Sequence, residues 1–500
     1  MRVLRPPRGS WPFVSARAMA SLPTWNGHYV NGQWTSCSSG RFCDVTDSNT
    51  GQVCARVASG GAEDVNAAVL AARSAFTAWA EKPLSERKAA LQKVLERWQQ
   101  KKGTAVEWLT KELGCNVKFA TQVQVNMVDM HLGSSLKMVD LIKFEERMPM
   151  GSLVVKEPVG VVGCITPWNY PLNQIAAKVF PALLVGCTVV LKPSEVTPVC
   201  AYLLAEAIHE AEVPPGVFNM IMGDGPNCGE VLAAHEDVDL VSFTGSTRAG
   251  RRISEVAAKT LKVVRTELGG KSAALLLEDA DFQALIPKFV KSLMANTGQS
   301  CNALSRLLVP RTRYEEAVGI AKKVAEATIV GESADSKASI GPVVSQAQWD
   351  RVQGYIQTGI KEGAKLVAGG PGRPDGLSNG FFVKPTVFAD VDNKMTIAQE
   401  EIFGPVLSII PYSSEEEAIR IANDTVYGLN NAVGSASPER AVQVARKLRS
   451  GMVMINDTSI LPDAPFGGYK QSGNAREWGT MGIEEYLVTK TLAGKPPSKL

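Results

Sequence analysis

A cysteine and a glutamate near the middle of the chain could together carry out nucleophilic and acid–base chemistry. Glu267 opens the run E-L-G-G-K just after a strand-like segment, and Cys301 ends the run G-Q-S-C. A thiolate is a strong nucleophile, and a carboxylate can act as a general base. Taken singly, a cysteine is usually a small buried apolar residue and a glutamate is usually solvated. The chemistry therefore requires a fold that brings these two side chains together.

A side-chain amide lies at a third position of interest. The strand-like run 160–166 ends in T-P-W-N-Y-P, in which Asn169 lies between Pro167 and Pro171. The two prolines restrict the backbone, and ligands of open α/β sheets bind beyond the carboxyl ends of the strands. Asn169 is therefore either a polar group at such a site or a solvated residue of a rigid loop.

Three further segments contain residues suited to a nucleotide. Lys192 and Glu195 in L-K-P-S-E follow a strand, where they could contact phosphate and ribose hydroxyls. The run F-T-G-S-T at 243–247 joins a strand to a helix, and Gly245 would let the backbone approach a pyrophosphate. Its spacing differs from G-x-G-x-x-G, so a generic tight turn is the alternative. Glu401 begins E-I-F-G-P, which combines a carboxylate, an aromatic side chain and a turn.

The elements that would position these residues alternate between strands and helices. From Gly160 onwards, apolar strand-like runs separated by helical patterns occur at Val161–Thr166, Thr188–Leu191, Val217–Met222, Leu240–Phe243 and Lys262–Thr266. Such an alternation predicts a parallel sheet covered on both faces, here a doubly wound, Rossmann-like unit. A second alternation has strands at Ala273–Leu277, Leu304–Val309, Phe382–Phe388, Val406–Ile410 and Met452–Ile455. The predicted fold class is therefore α/β, with two sheet-containing parts.

Composition argues against several classes of function. The chain of 500 residues has a formal net charge of only +3, which disfavours nucleic acid as a partner. It contains no run of about 18 apolar residues, so no membrane span is predicted. Nine cysteines occur without a C-x-x-C pair, and neither a metal site nor a disulfide framework is predicted. The four histidines lie far from any nucleophile motif, which disfavours a histidine-based triad.

The first residues differ in composition from the rest of the chain. Residues 1–21 contain four arginines among serines and prolines, and no acidic residue. Such a segment resembles an organellar transit peptide, which would direct the protein to mitochondria or plastids. The alternatives are a basic disordered tail and a true start at Met19, and both are compatible with a cytoplasmic protein.

Seven motifs occur in a fixed order along the chain: T-P-W-N-Y-P, L-K-P-S-E, F-T-G-S-T, E-L-G-G-K, G-Q-S-C, E-I-F-G-P and P-F-G-G-Y-K. From about Trp25 to Thr491 they resemble the aldehyde dehydrogenase superfamily, and within it the NAD-dependent, non-acylating branch. The resemblance implies oxidation of an aldehyde to a carboxylic acid, with NAD as cofactor. It also implies a Rossmann-like NAD-binding domain, a second α/β catalytic domain and a small β element used for oligomerisation.

The same resemblance implies the catalytic residues. Cys301 matches the family's nucleophile, which forms a thiohemiacetal and then a thioester with the substrate. Asn169 matches the residue whose amide stabilises the oxyanion, and Glu267 matches the general base that activates the hydrolytic water. Glu477 matches a residue that takes part in proton relay.

The resemblance also implies the cofactor contacts. Lys192 and Glu195 match residues that hold the adenine ribose, where a glutamate favours the 2′-hydroxyl of NAD over the 2′-phosphate of NADP. Glu401 and Phe403 match a clamp on the nicotinamide ribose. The other implied contacts are Ile165, Thr166, Pro167, Trp168, Ser194, Gly225, Gly229, Phe243, Thr244, Gly245, Ser246 and Leu268.

The substrate side differs from well-known branches of the family. Ala177 is small where some relatives have a large aromatic residue, which predicts a wider tunnel, and Asn173 and Asn302 are polar. No aromatic cage for a quaternary ammonium group is evident, which disfavours a betaine aldehyde as substrate.

The resemblance predicts a division into parts and an assembly. Residues 22–130 and 151–268 would bind NAD, residues 269–470 would form the catalytic domain, and residues 131–150 with 471–500 would join copies into a homodimer or homotetramer. Two alternatives remain for the function. One is a coenzyme A-acylating semialdehyde dehydrogenase, although such enzymes generally do not use a glutamate at the position of Glu267. The other is a catalytically silent scaffold of the same fold, which the presence of all three catalytic residues opposes.

Overall fold

The structure, a computed structural model, describes residues 22–494. The segment 1–21, for which a transit peptide is one prediction, lies outside the described residues. Within the described part, the strands form two sheets of seven strands and two of three. Among the described helices, none combines the length and the apolar character that crossing a bilayer requires.

The first half of the described strands, in chain order, is β1 (Thr24–Trp25), β2 (Gly27–Val30), β3 (Gln33–Ser36), β4 (Phe42–Thr46), β5 (Val53–Ala58), β6 (Glu145–Arg147), β7 (Leu153–Pro158), β8 (Val161–Ile165), β9 (Thr188–Lys192) and β10 (Phe218–Met220). The second half is β11 (Leu240–Thr244), β12 (Val263–Glu267), β13 (Ala273–Leu276), β14 (Arg306–Pro310), β15 (Lys365–Ala368), β16 (Thr386–Ala389), β17 (Val406–Tyr412), β18 (Asn430–Gly434), β19 (Met452–Ile455) and β20 (Leu487–Leu492).

The described α-helices begin with α1 (Ala62–Ala80), α2 (Leu84–Gln99), α3 (Lys102–Trp108), α4 (Val117–Gln122), α5 (Met127–Met138), α6 (Pro171–Val185), α7 (Val199–Glu210) and α8 (Glu230–Ala234). They continue with α9 (Thr247–Ala257), α10 (Phe282–Met294), α11 (Tyr314–Glu326), α12 (Gln346–Lys361), α13 (Thr396–Gln399), α14 (Glu415–Asn423), α15 (Pro438–Ala445) and α16 (Gly479–Glu484).

The first seven-stranded sheet has the order β12-β11-β8-β9-β10-β2-β3. Strands β8 to β12 pair in parallel, and the hairpin of β2 and β3 closes one edge in antiparallel register. Asn31 and Gly32 both have positive φ, as a tight hairpin turn requires. The strand order reverses between β8 and β11, and ligands bind at such a switch point in doubly wound sheets. All five strands predicted for this unit are present, and their bounds differ from the predicted ones by a residue or two.

The second seven-stranded sheet has the order β15-β16-β17-β14-β13-β18-β19. Its pairs are parallel except for β15 at the edge. The strand predicted at Phe382–Phe388 begins only at Thr386, because Pro385 has no N–H to donate to a neighbouring strand. Cys301 lies in the connection between α10 and β14. The predicted α/β fold class is confirmed by this pair of sheets.

A three-stranded sheet of order β20-β7-β6 joins the C-terminal strand to two strands that precede β8. The division expected from the sequence places Leu153–Pro158 in the NAD-binding part, but here this strand pairs along its full length with Leu487–Leu492. Helix α5 continues through residue 131 without a break and packs on α6. The boundary predicted at 131 lies inside α5 and the boundary predicted at 151 lies between β6 and β7, and the division into domains stays a prediction.

Candidate active site

Asn169 is held at the end of β8 by a network of amide groups. Its side-chain Nδ2 donates to the carbonyl of Gln299 at 3.0 Å. Its own carbonyl accepts from the side-chain amides of Gln124 at 3.1 Å and Asn296 at 2.9 Å. These bonds tie the loop after β8 to the segment that leads into Cys301.

The segment that precedes Cys301 has an unusual backbone conformation. Asn296, Thr297 and Gly298 have φ values of 50°, 56° and 75°, all in the left-handed region. Non-glycine residues with such angles cost about 1–3 kcal/mol each and persist where surrounding contacts hold them. A Cβ on Gly298 would lie 2.2 Å from the backbone of Gly404, so only glycine fits there. The turn that presents Cys301 is thus packed directly against the E-I-F-G-P segment.

Cys301 is half-buried and lies in acidic surroundings. Burial raises the pKa of its thiol well above the usual range, and the carboxylates of Glu401, Glu267 and Glu477 raise it further. A Cβ on Gly270 would come within 2.5 Å of the Cys301 carbonyl oxygen, so the E-L-G-G-K and G-Q-S-C segments are in close contact. The thiol is therefore protonated at neutral pH in this state, and a nucleophilic role requires a base.

Glu267 ends β12 and is only 2% exposed. Neither of its carboxyl oxygens has a hydrogen-bond partner in the described part of the chain. Burial raises the pKa of this carboxyl group well above its ordinary value, and the negative charge of Glu477 adds to the shift, whereas Lys178 and Arg476 oppose it. A buried carboxyl group with a raised pKa is suited to exchange protons, and such groups concentrate at functional sites.

Glu477 and Lys178 form an ion pair beside this carboxyl group. Lys178 projects from α6, every residue of which is buried, and both charged side chains are almost fully buried. Glu477 also exchanges two backbone hydrogen bonds of 2.7 Å with Phe466. The pair therefore fixes the C-terminal segment against the first sheet and supplies groups that could exchange protons with Glu267.

A groove opens between the two seven-stranded sheets. It brings the loops after β8, β11 and β12 together with the cysteine and the E-I-F-G-P segment. Its lining residues are Pro167, Trp168, Asn169, Thr244, Gly245, Ser246, Leu268, Gly269, Cys301, Gln348, Arg351, Glu401 and Phe403. Most of these residues are among those that the sequence assigns to catalysis or to NAD, and their individual roles stay predictions.

Other predicted cofactor contacts lie outside this lining. Ile165 and Phe243 belong to the apolar core below the groove, together with Leu268. The ring of Phe243 would lie 2.5 Å from a Cβ on Gly245, so this glycine allows the loop to lie flat on the ring. These core residues shape the floor of the groove.

The residues predicted to hold the adenine ribose lie near one another after β9 and β10. Lys192 and Glu195 form an ion pair of 2.9 Å, and the Ser194 hydroxyl accepts from the backbone N–H of Val196 at 3.2 Å. Gly229 lies beside the Lys192 side chain, where a Cβ would be 4.0 Å from Cδ. A Cβ on Gly225 would have no neighbouring atom within 4 Å, so this glycine borders open space.

The polar atoms of this region suit a dinucleotide. The hydroxyls of Thr166 and Thr244 are buried and have no partner among residues 22–494. Helix α9 begins beside the groove, and Ser246 caps it by accepting from the Ala249 N–H at 3.2 Å. The N-terminus of a helix and hydroxyls without partners are suited to bind a pyrophosphate. The residues present therefore fit a nucleotide of the NAD type.

Two residues of α12 line the groove, although no sequence motif points to them. Gln348 donates to the carbonyl of Phe403 at 2.7 Å, and Arg351 donates to the carbonyl of Glu401 at 2.6 Å. Phe403 has a φ of 62°, and its ring meets that of Trp168 edge-on at 5.3 Å. The two donors thus hold the backbone of E-I-F-G-P in a conformation that it would not adopt alone.

The Glu401 carboxyl group lies against the E-L-G-G-K segment. It accepts from the N–H of Gly270 at 3.1 Å, and a Cβ on Gly269 would lie only 2.4 Å from it. Burial raises the pKa of Glu401 to about 7, although the Gly270 N–H, Arg351 and Lys271 favour the ionised form. Contact with the Glu401 carboxyl group thus requires glycine at 269, and contact with the Cys301 carbonyl oxygen requires glycine at 270.

One cluster in the described part has the composition of a metal site. His28, Cys37 and Asp64 place their potential ligand atoms within 4.8 Å of one another. The N–H of Met222, however, donates to Nδ1 of His28 at 3.1 Å. The proton of the neutral imidazole therefore lies on Nε2, the nitrogen that faces Asp64 at 3.6 Å. A metal ligand needs a free lone pair at that position, so this geometry opposes metal binding.

The fold and the groove together define an α/β protein with a groove that suits a nucleotide and is lined by a cysteine. Residues 34–492 match the model of the Aldehyde dehydrogenase family, and the chain belongs to this family. It is 48% identical to a 3-succinoylsemialdehyde-pyridine dehydrogenase of a Pseudomonas species, over 93% of this chain and 98% of that protein. The resemblance expected from the motifs is confirmed, and the chain is an aldehyde dehydrogenase.

Solved structures agree with this assignment. A cysteine-to-alanine mutant of aldehyde dehydrogenase C from Pseudomonas syringae, complexed with NAD+ and octanal, has a TM-score of 0.93 and 45% identity, covering 95% of this chain and 98% of that one. An aldehyde dehydrogenase of Mycobacterium tuberculosis, complexed with NAD+, has a TM-score of 0.92 and 42% identity, covering 96% and 100%. Both complexes contain the cofactor that the sequence motifs predict for this chain.

Proposed function

We propose that this enzyme oxidises an aldehyde to the carboxylic acid through a thioester on Cys301, with NAD as cofactor. The observation that supports this most is the arrangement of three groups. The side-chain amide of Asn169 and the thiol of Cys301 line one groove. The buried carboxyl group of Glu267, which has no partner in the described part of the chain, directly precedes Leu268 of the groove lining, and its charge acts on the thiol. Nucleophile, oxyanion donor and base are the groups that this chemistry requires.

The first step forms a bond between the Cys301 sulfur and the aldehyde carbon. The thiol proton passes to a base as the bond forms; the candidate that lines the same groove is the carboxyl group of Glu401, whose charge acts on this thiol more strongly than that of Glu267 or Glu477. The carbonyl oxygen becomes an oxyanion. An amide nitrogen has two protons; one N–H of Asn169 is used by Gln299, and the other can donate to the oxyanion together with the N–H of Cys301. Loss of one such donor typically lowers the rate by about 10²–10³.

NAD, when bound, supplies the acceptor for the hydride. Loss of hydride from the thiohemiacetal carbon leaves an acyl group on Cys301 as a thioester. Glu267 then removes a proton from water, whose oxygen adds to the thioester carbon, and the thiolate leaves as the acid is released. Glu477 and Lys178 form a buried pair from which protons can be exchanged with Glu267.

Apolar side chains near the cysteine favour an aldehyde with an apolar body. Leu429, Met452 and Phe466 form a buried cluster on which Cys301 and Trp478 also pack. The Pseudomonas syringae relative complexed with octanal supports the same class of substrate.

The test is NADH formation by the purified enzyme with a panel of aliphatic and aromatic aldehydes, with and without coenzyme A. Turnover without coenzyme A is expected, and the carboxylic acid should be the product. Cys301→Ala should form no NADH while still binding NAD, and Cys43→Ala should behave as the wild type. Turnover only with coenzyme A would assign the enzyme to the acylating branch. No turnover with intact NAD binding would favour the silent scaffold.

A further inference from the structure

An open pocket of about 410 Å³ lies between α4, α10, α11 and the segment 339–340. Pockets that bind small molecules have volumes of about 300–1,000 Å³, so this one has room for a ligand. None of its lining residues lines the groove beside Cys301, and none belongs to the apolar cluster on which that cysteine packs. The pocket is therefore separate from the proposed catalytic site.

The walls of this pocket are largely apolar. Phe119, Pro287, Met294, Val324 and Ile340 line it, together with two alanines. Met294 and Ile340 are buried, and the other three are half-buried. Covering such walls removes apolar surface from water, which is favourable. The walls therefore suit a ligand with an apolar body.

Two exposed lysines give the pocket a positive charge. Lys291 and Lys323 line it from the last turns of α10 and α11, and neither has a carboxylate partner in the described part of the chain. Among the described residues that line the pocket, none is acidic. The C-terminus of each helix contributes about half a negative charge, so the two ammonium groups outweigh the two helix ends. An anionic group is therefore attracted to this pocket.

The other polar groups of the pocket are already hydrogen-bonded. The Asn116 side chain donates to the carbonyl of Ser339 at 2.5 Å and accepts from the N–H of Phe119 at 2.9 Å. The Thr328 hydroxyl donates to the carbonyl of Val324 at 2.9 Å. The ammonium groups of the two lysines are thus the polar groups most available to a ligand.

We propose that this pocket binds an amphipathic anion, a carboxylate with an unbranched hydrocarbon chain, whose headgroup is held by Lys291 and Lys323 and whose chain covers the apolar walls. A carboxylate has two oxygens and can accept from both ammonium groups. The pocket adjoins the catalytic segment without belonging to it: Phe119 meets Tyr170 edge-on at 6.0 Å, and the hydroxyls of Tyr170 and Ser300 form a hydrogen bond of 2.6 Å. The inference does not depend on the proposed function, because binding can be measured without turnover.

The test is isothermal titration calorimetry with octanoate, below its micelle concentration, and with octanol and octylammonium as probes of nearly the same length. The wild type should bind octanoate about tenfold more tightly than either other probe, because only the carboxylate pairs with the lysines. Lys291→Gln combined with Lys323→Gln should remove this preference. Lys288→Gln combined with Lys322→Gln is the matched control, because these two lysines belong to the same helices but do not line the pocket. The control variant should bind octanoate as the wild type does.

A further variant separates binding inside the pocket from attraction to surface charge. Ala327→Phe, at an exposed position of the lining, fills the pocket and keeps both lysines. It should weaken octanoate binding by about tenfold, because the chain loses its place against the apolar walls. The kcat/KM for propanal should stay close to that of the wild type in every variant, because none of the substituted residues lines the groove. Undiminished octanoate binding by Ala327→Phe would contradict a site inside the pocket.

Photo-crosslinking locates the bound chain. Octanoic acid with a diazirine near the end of its chain should label peptides that contain Phe119, Met294 or Val324. Label confined to the segment of Cys301 would place the carboxylate in the catalytic site and overturn the proposal. Unchanged octanoate binding in the variant that lacks both pocket lysines, or equal affinity for octylammonium, would overturn it as well. An enzyme that binds octanoate in this pocket but oxidises no aldehyde would contradict the proposed function alone.

Discussion

At the scale of single residues, the site is defined by the carboxyl group of Glu267, which has no hydrogen-bond partner in the described part of the chain. Glu267→Gln keeps the shape of the side chain but removes the ability to take a proton. We expect this variant to form one equivalent of NADH rapidly and then to slow by about 10²-fold or more, because water is no longer activated. Intact-mass spectrometry of the quenched enzyme should show the acyl group on Cys301. Steady turnover at the wild-type rate would contradict the role of Glu267 as base. Glu485→Gln serves as the control, because burial also raises the pKa of this nearby carboxyl group.

We expect the preference for NAD over NADP to depend on the side chains of Glu195 and Lys192. Glu195 is partly exposed and neutralises Lys192 at 2.9 Å. In Glu195→Ala, the repulsion of a 2′-phosphate disappears and the buried Lys192 cation loses its partner. The ratio of kcat/KM for NADP to that for NAD should therefore rise by about tenfold or more, since each 1.36 kcal/mol corresponds to a factor of ten.

Glu210→Ala is a suitable comparison for this substitution. Glu210 also pairs with a lysine, Lys101, but on the surface of α7. Its loss should leave the cofactor ratio unchanged. If Glu195→Ala behaves in the same way, selection against NADP depends on other residues.

At the scale of elements, the sequence predicts most strands but misses one that matters to the site. Strand β18 begins with Asn430 and Asn431, which resemble a turn in sequence. In the structure Asn431 accepts from the N–H of Ala273 at 2.8 Å, and Asn430 donates to the carbonyl of Asn302 at 3.1 Å. The polar residues at the start of the strand thus hold the catalytic segment. Such a role depends on partners more than 100 positions away, and no local pattern can show it.

Helix α12 also contacts the site through residues distant in sequence, and one of these contacts can be tested. Gln348→Ala removes the donor that holds the carbonyl of Phe403, whose backbone has a positive φ. The E-I-F-G-P segment should relax while the enzyme stays folded. The KM for NAD should rise by about three- to tenfold, because one hydrogen bond contributes about 0.5–1.5 kcal/mol net. Gln346→Ala, in the exposed first turn of the same helix, should leave the KM unchanged. A rise in KM for the aldehyde but not for NAD would contradict a role in cofactor binding.

At the scale of the whole molecule, the motifs predict the family and the two α/β parts, but not how the parts meet. The loop of Asn169 and the segment of Gln299 are joined across 130 positions of sequence, and the groove exists only because of such bonds. The division into domains and the assembly into a dimer or tetramer stay predictions. The three-stranded sheet of β20, β7 and β6 offers a way to test the assembly.

Strands β6 and β20 lie at the two edges of the three-stranded sheet. Apolar side chains are exposed along and beside them: Val488 is 42% exposed, Leu492 is 45% exposed and Met150 is 99% exposed. An exposed edge with apolar side chains is a common site of association. We therefore expect the protein to form dimers or tetramers through this sheet.

The double substitution Val488→Asp and Leu492→Asp introduces like charges on this edge, where an interface would have to bury them. Light scattering after size-exclusion chromatography should show an oligomer for the wild type and a smaller species for the variant. Leu261→Asp, at another exposed apolar position away from the small sheet, should keep the wild-type mass. The circular dichroism spectrum should be unchanged in both variants, because these side chains contribute little to the core. A monomeric wild type would contradict assembly altogether, and an unchanged mass of the double variant would place the interface on another surface.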